Sequence, residues 1–233
     1  MTKLFLPFIL GPCLLLTACG GMSIIDPQGY DTMTQHLSQE LAEHNLPNTK
    51  EAYSSNISSS NVPYGKILFN QLSPSFMQGA MAQYYLGDTF AQTMQPRRSS
   101  VSYTDHGFHI EHVSQSITVT MLAIVDWNQD GHNEWLISCA VTPKQGGPKK
   151  TWYLLTPPPL NAEEILLGTP CAILDWQGPS PKIDLPPSTS IPRTKQNNLP
   201  LTQVEEFKPG EHTVTTPPTD PQITDPKLNE RSL

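Results

Sequence analysis

The chain has 233 residues, with 14 Lys and Arg against 21 Asp and Glu, a formal net charge of −7, and 24 prolines. Its length suits one domain or two, and an acidic balance without any Lys/Arg cluster argues against a nucleic-acid binder, which needs concentrated positive charge. No run of about 18 or more uninterrupted apolar residues occurs, which argues against an ordinary membrane-spanning helix.

The chain opens with a positive residue, Lys3, followed by an apolar run from Leu4 to Leu16 broken by Pro7, Gly11 and Pro12. As a helix rising 1.5 Å per residue this run spans about 20 Å, short of a hydrocarbon core of about 30 Å. It therefore reads as a secretory signal that is removed. Leu16-Thr17-Ala18-Cys19 closes it, and this quartet resembles the lipobox of bacterial lipoproteins. The resemblance covers this segment alone. It implies cleavage after residue 18, a diacylglyceryl thioether on Cys19 and an acyl chain such as palmitate on the freed amine. Buried acyl chains contribute about 0.8 kcal/mol per CH₂, so two or three make a stable membrane anchor. Gly20 follows, where the family keeps Asp for residence in the inner membrane. The resemblance thus implies a cell-envelope location, and in a Gram-negative host the outer membrane facing the periplasm.

Residues 19–29 read as a lipidated tether. A globular domain is expected over 30–176. Tyr30 to Leu46 carries helical periodicity, with Tyr30, Met33, Leu37 and Leu41 on one face, Asp31 or Thr32 as cap and Pro47 as stop. Residues 48–62 are polar and Ser/Asn-rich and read as a loop. Ser73-Pro74 suits the start of a helix, followed by the stripe Phe76, Met77, Ala80, Met81, Tyr84 and Tyr85 and a shorter turn from Phe90 to Met94. Beyond Pro96 the period becomes two. Val101–Tyr103, Phe108–Val113, Ile117–Val125, Glu134–Val141, Thr151–Leu155 and Ala172–Trp176 read as strands with short connections. The expected fold is α+β: N-terminal helices followed by an antiparallel β-meander. From Gln177 to Leu233 lie 11 prolines in 57 residues with few aromatics, a composition expected to stay disordered.

The densest oxygen-donor segment is Asp126-Trp127-Asn128-Gln129-Asp130-Gly131-His132-Asn133-Glu134, between two strands. Side-chain oxygens at Asp126, Asn128 and Asp130, the carbonyl of His132 and the carboxylate of Glu134 can converge on a hard cation, and Gly131 permits the sharp turn. The pattern resembles the single calcium loops of FG-GAP-type hairpins, which implies a structural Ca²⁺. It departs from the EF-hand, since Ile137 stands where that family needs a bidentate Glu. The other reading is an Asx-stabilised turn that binds nothing strongly.

Once the signal is removed and Cys19 is acylated, two cysteines remain, Cys139 and Cys171. In an oxidising envelope they are read first as a disulfide and second as two buried thiols. Asp105 to His112 holds three histidines and Glu111, but on a strand His106 and His112 share one face and His109 and Glu111 the other, so three metal ligands do not converge. No nucleophile elbow, S-x-x-K, phosphate loop or dinucleotide fingerprint is present. The expectation is a non-enzymatic accessory or interaction protein, held at the membrane by its lipid, with an envelope protein or peptidoglycan as partner. Two alternatives stand beside it. One is a glycan or small-ligand domain using Trp127, Trp135, Trp152 and Trp176; the other is an enzyme dependent on the calcium loop.

Overall fold

The computed structural model describes residues 21–77, 87–94 and 98–186. They form a mixed α+β fold built on an eight-stranded sheet. Strand β1 (Ser23–Ile24) leads into helix α1 (Pro27–Glu43); short helix α2 (Lys50–Tyr53) and helix α3 (Tyr64–Gln71) follow. A two-residue strand β2 (Leu72–Ser73) runs into a 3₁₀ turn, and one-turn helix α4 (Phe90–Thr93) precedes the main strands. These are β3 (Ser99–Tyr103), β4 (Gly107–His112), β5 (Gln115–Val125), β6 (Glu134–Pro143), β7 (Lys149–Thr156), β8 (Leu166–Leu167), β9 (Thr169–Trp176) and β10 (Lys182–Asp184).

The spatial order β10-β9-β7-β6-β5-β4-β3 follows chain order, so the sheet is the expected antiparallel meander. Two short pieces interrupt the sequence: β8 leaves the sheet to pair in parallel with β2, and β1 joins β5. β5 serves two neighbours along one edge. Its first half, Ser116 to Thr120, pairs with β4, and its second half, Ala123 and Ile124, pairs with β1. Between them the register against β6 slips at Leu122. An extra residue in one strand inverts the side-chain alternation beyond it. Ile117, Val119 and Met121 accordingly enter the front core with Tyr64, Leu68 and Phe90, whereas Ala123 and Val125 enter the back core with Tyr30, Met33, Leu37 and Leu41.

Helix α1 lies on the back face. Its four core residues are the ones the periodicity selects, all at 0% exposure, and each contributes about 1.5–3 kcal/mol by burial. Its start is corrected from Asp31 or Thr32 to Asp26, whose carboxylate accepts the Gln28 N–H at 3.1 Å, with Pro27 at the first helical position. The tether over 19–29 is likewise shortened, because Ser23 is already in the sheet. Ile25 and Asp26 both donate their N–H to the Leu122 carbonyl, at 2.8 and 3.1 Å. Loop 48–62 contains α2, capped by Thr49. Helix α3 on the front face carries no side-chain cap and only eight residues, too little pattern to announce itself in the sequence. Ser73 belongs to β2 and Pro74–Met77 to the 3₁₀ turn; Ala80, Met81, Tyr84 and Tyr85 lie outside the described residues.

At the far edge, β10 pairs Lys182–Asp184 with Ile173–Asp175. The folded chain therefore continues past Gln177, through at least Pro186, and the remainder of the expected tail, 187–233, lies outside the described residues. The expected disulfide is also corrected. Cys139 on β6 and Cys171 on β9 are separated by β7. Two strand spacings make about 9.5 Å, beyond the roughly 7 Å that a disulfide tolerates between Cα atoms. The two side chains also enter opposite cores, and both thiols are free.

Two glycines let a helix approach the sheet on each face. A Cβ on Gly65 would lie 2.0 Å from the Gly107 carbonyl oxygen and 2.4 Å from that of Thr104, both backbone. A Cβ on Gly29 would lie 2.6 Å from the Asp26 and Leu122 side-chain ends, which can move. Gly65→Ala should therefore cost about 3 kcal/mol and Gly29→Ala about 1 kcal/mol, the upper and lower ends of overpacking penalties. Urea melts of the two variants check this ranking, and equal midpoints would contradict it.

Candidate functional site

The segment Asp126–Asn133 is the turn between β5 and β6. Asp126 sets it by folding its carboxylate back over the chain: Oδ1 accepts the Asp130 N–H at 3.0 Å and Oδ2 the Gly131 N–H at 2.9 Å. Asn128 Oδ1 shares the Asp130 N–H at 3.0 Å, and Asp130 Oδ1 accepts from His132 N at 2.9 Å. These are successive Asx turns. They hold Gln129 at φ 57° and Gly131 at φ 86°, the left-handed region in which glycine is unstrained.

Glu134 closes the base of the turn and is buried. Its Oε2 accepts the Trp127 N–H at 2.9 Å and its Oε1 the Asn128 amide at 3.4 Å. Burial pushes its pKa up to about 7. The Trp127 N–H opposes this, and the negative charges of Asp130 and Asp126 add to it. Asp126, Asn128, Asp130, His132 and Glu134 thus share one turn, as the spacing anticipates. Among the described residues no three acidic, histidine or cysteine side chains are gathered as a ready metal cluster. The donor set is all oxygen, which suits Ca²⁺, while the Asp126 oxygens face backbone N–H groups.

Helix α1 ends against this turn. His44 Nδ1 donates to the Trp127 carbonyl at 2.8 Å, and the two rings lie 4.3 Å apart. Beside them is a cavity of about 200 Å³ lined by Leu37, His44, Trp127, Cys171, Leu185 and Pro186, among others. Sequence reasoning missed this cavity, because its walls come from α1, the β5–β6 turn, β9 and the chain after β10. The Cys171 thiol donates to the Tyr153 carbonyl at 3.3 Å, and burial pushes its pKa up to about 12, so it is not an activated thiolate.

Three of the four tryptophans are turned away from any surface groove, and Trp176 alone is half-buried, with the Lys149 ammonium 5.5 Å from its ring. Trp127, Trp135 and Trp152 are 3, 6 and 4% exposed, packed in the two cores. On β4, His109 and Glu111 do share a face: His109 Nε2 lies 3.1 Å from Glu111 Oε2, and its Nδ1 is 2.9 Å from Thr118 Oγ1. Lys144 pairs with the same carboxylate and, with His109, holds it below the usual carboxylate range. His112 turns instead to Ser114.

No family model, curated protein or solved structure matches the chain.

Because Glu134 holds its proton more tightly folded than unfolded, its contribution to stability is fully present below about pH 4.5 and is lost as pH rises through about 7. In chelator, the melting temperature should fall between pH 5 and pH 8, and Glu134→Gln should flatten that slope. An unchanged slope in the variant would show that other groups govern it.

Proposed function

We propose that the protein is a lipid-anchored component of the bacterial cell envelope, acylated at Cys19, with a non-enzymatic accessory or interaction role. In a Gram-negative host it faces the periplasm from the outer membrane. The observation that carries this reading is the position of Leu16-Thr17-Ala18-Cys19 directly ahead of the fold: β1 begins at Ser23, so a chain cut before Cys19 keeps every described element. The partner is an envelope protein or peptidoglycan, engaged through the proline-rich segment that follows Pro186 and extends to Leu233. Pro-rich segments of low aromatic content suit extended docking.

A small-ligand role is the second reading, favoured by the cavity beside His44 and Cys171. At about 200 Å³ it is smaller than the roughly 300 Å³ or more typical of ligand sites. It therefore stands behind the accessory role.

The Asp126–Glu134 turn is proposed to hold a structural Ca²⁺ through Asp126, Asn128, Asp130, the His132 carbonyl and Glu134. The all-oxygen donor set supports it. A bound cation would tie the β5–β6 turn together and leave the chemistry of the accessory role to other surfaces. Millimolar Ca²⁺ should raise the melting temperature of the wild type and leave that of the Asp126→Ala, Asp130→Ala double variant unmoved. Identical melting of both with and without chelator would reduce the segment to a turn.

Metabolic labelling with a palmitate analogue should mark the wild type and not Cys19→Ala, which should leave the membrane fraction; equal labelling would overturn the anchor. A crosslinking pull-down from intact cells should lose its discrete partner when the chain stops at Pro186, with the melting temperature kept. A chain stopped at Gln177 also loses β10 and should melt lower. Retention of every partner by the Pro186 truncation would refute the tail-mediated role.

A further inference from the structure

Cross-strand register fixes which end of the sheet faces the anchor. Ser23 is opposite Ile124, Ile124 opposite Trp135, and Trp135 opposite Thr156, a single line across four strands. Traced backward from Ser23, the chain leaves the sheet at the end where β5 passes into the Asp126 turn, with Met22 still packed against the back core. Three residues separate Cys19 from Ser23, and the four steps of about 3.3–3.6 Å each can span roughly 14 Å at most. With so short a link, an acylated Cys19 holds this end of the sheet at the bilayer.

The same end carries exposed apolar side chains that neither core uses. After Thr156 the chain crosses Pro157–Pro159 and returns through β8. Within this segment Leu160 is 68% exposed, Ile165 39% and Leu167 50%. The frame beneath them is fixed. Leu166, alternating with Ile165 and Leu167, is 1% exposed in the front core; β8 pairs with β2; and the buried Gln71 side chain donates to the Asn161 carbonyl at 2.9 Å. Ile165, just before β8, and Leu167 therefore flank the anchored Leu166 and stay exposed on either side of it. Segments 126–134 and 157–168 contain no Lys or Arg, while Asp126, Asp130, Glu134, Glu163 and Glu164 are acidic. Contact made here relies on apolar side chains rather than attraction to anionic headgroups.

We propose that Leu160, Ile165 and Leu167 form a membrane-contact surface that seats this end of the sheet on the phospholipid bilayer beside the acylated Cys19. The inference rests on the lipid-anchor reading above. The orientation it imposes points the β4–β5 hairpin, with Val113 63% exposed at its tip, away from the membrane.

The test uses the full lipidated chain in vesicles of phosphatidylethanolamine and phosphatidylglycerol, in a Cys171→Ser background. Nitroxide labels are placed by Leu160→Cys, Leu167→Cys or Val113→Cys, and acylation of Cys19 is verified by mass spectrometry on each sample. Labels at 160 and 167 should show an oxygen-to-nickel accessibility ratio several-fold above the label at 113, which should read as aqueous. Acylated protein whose three labels all read aqueous overturns the contact while leaving the anchor standing. Absence of lipid on Cys19 removes the anchor and the contact together. Labels aqueous in pure lipid but shielded in native membranes assign the patch to a protein and overturn lipid contact.

Discussion

The architecture depends on one extra residue in β5. Without the slip at Leu122, Ala123 and Val125 would share the front side with Ile117, Val119 and Met121 instead of entering the back core. With it, one strand supplies the front core in its first half and the back core in its second. The carbonyl at the slip is also where β1 ends, accepting both the Ile25 and Asp26 N–H groups. That bond pair sets the direction in which α1 leaves, and the cap at Asp26 lies within the same turn of chain. Sheet inversion, chain start and helix launch are one local device.

The other end of α1 is fixed as firmly. His44 meets the carbonyl and ring of Trp127, and Trp127 donates its own N–H to Glu134. The β5–β6 turn is thus held from three sides, by its Asx turns, by the buried carboxyl and by the helix terminus. Burying that carboxyl beside Asp126 and Asp130 disfavours its charge, so the turn is tightly built yet electrostatically unfavourable when ionised. The cavity beside it is walled by α1, this turn, β9 and Leu185–Pro186.

Much of the fold was legible because its signals are local. Alternation over Phe108–Val113 and Glu134–Val141 marks strands whatever surrounds them, and short polar links between such strands leave antiparallel neighbours as the simple solution. The face of α1 was legible from Tyr30, Met33, Leu37 and Leu41. Its start was not, because Asp26-Pro27 and Asp31-Thr32 are comparable caps and the bond to Leu122 decides between them. β10 was hidden in a proline-rich context, since three exposed residues, Lys182 to Asp184, form a strand only because β9 offers a free edge.

The cysteines and tryptophans show the limit most clearly. Two cysteines remaining in the domain suggest a bridge, but an intervening strand and opposite side-chain facing keep Cys139 from Cys171. Four tryptophans in a strand-rich region suggest a binding platform, but three of them are packed into the cores. By itself the sequence determined the α1 face, the order of the central strands and the gathering of the Asp126–Glu134 side chains in one turn, because each depends on residues a few positions apart. Only the tertiary structure decided which face each strand presents, which cysteines can meet and which apolar residues stay in water, because those follow from register between segments far apart in the chain.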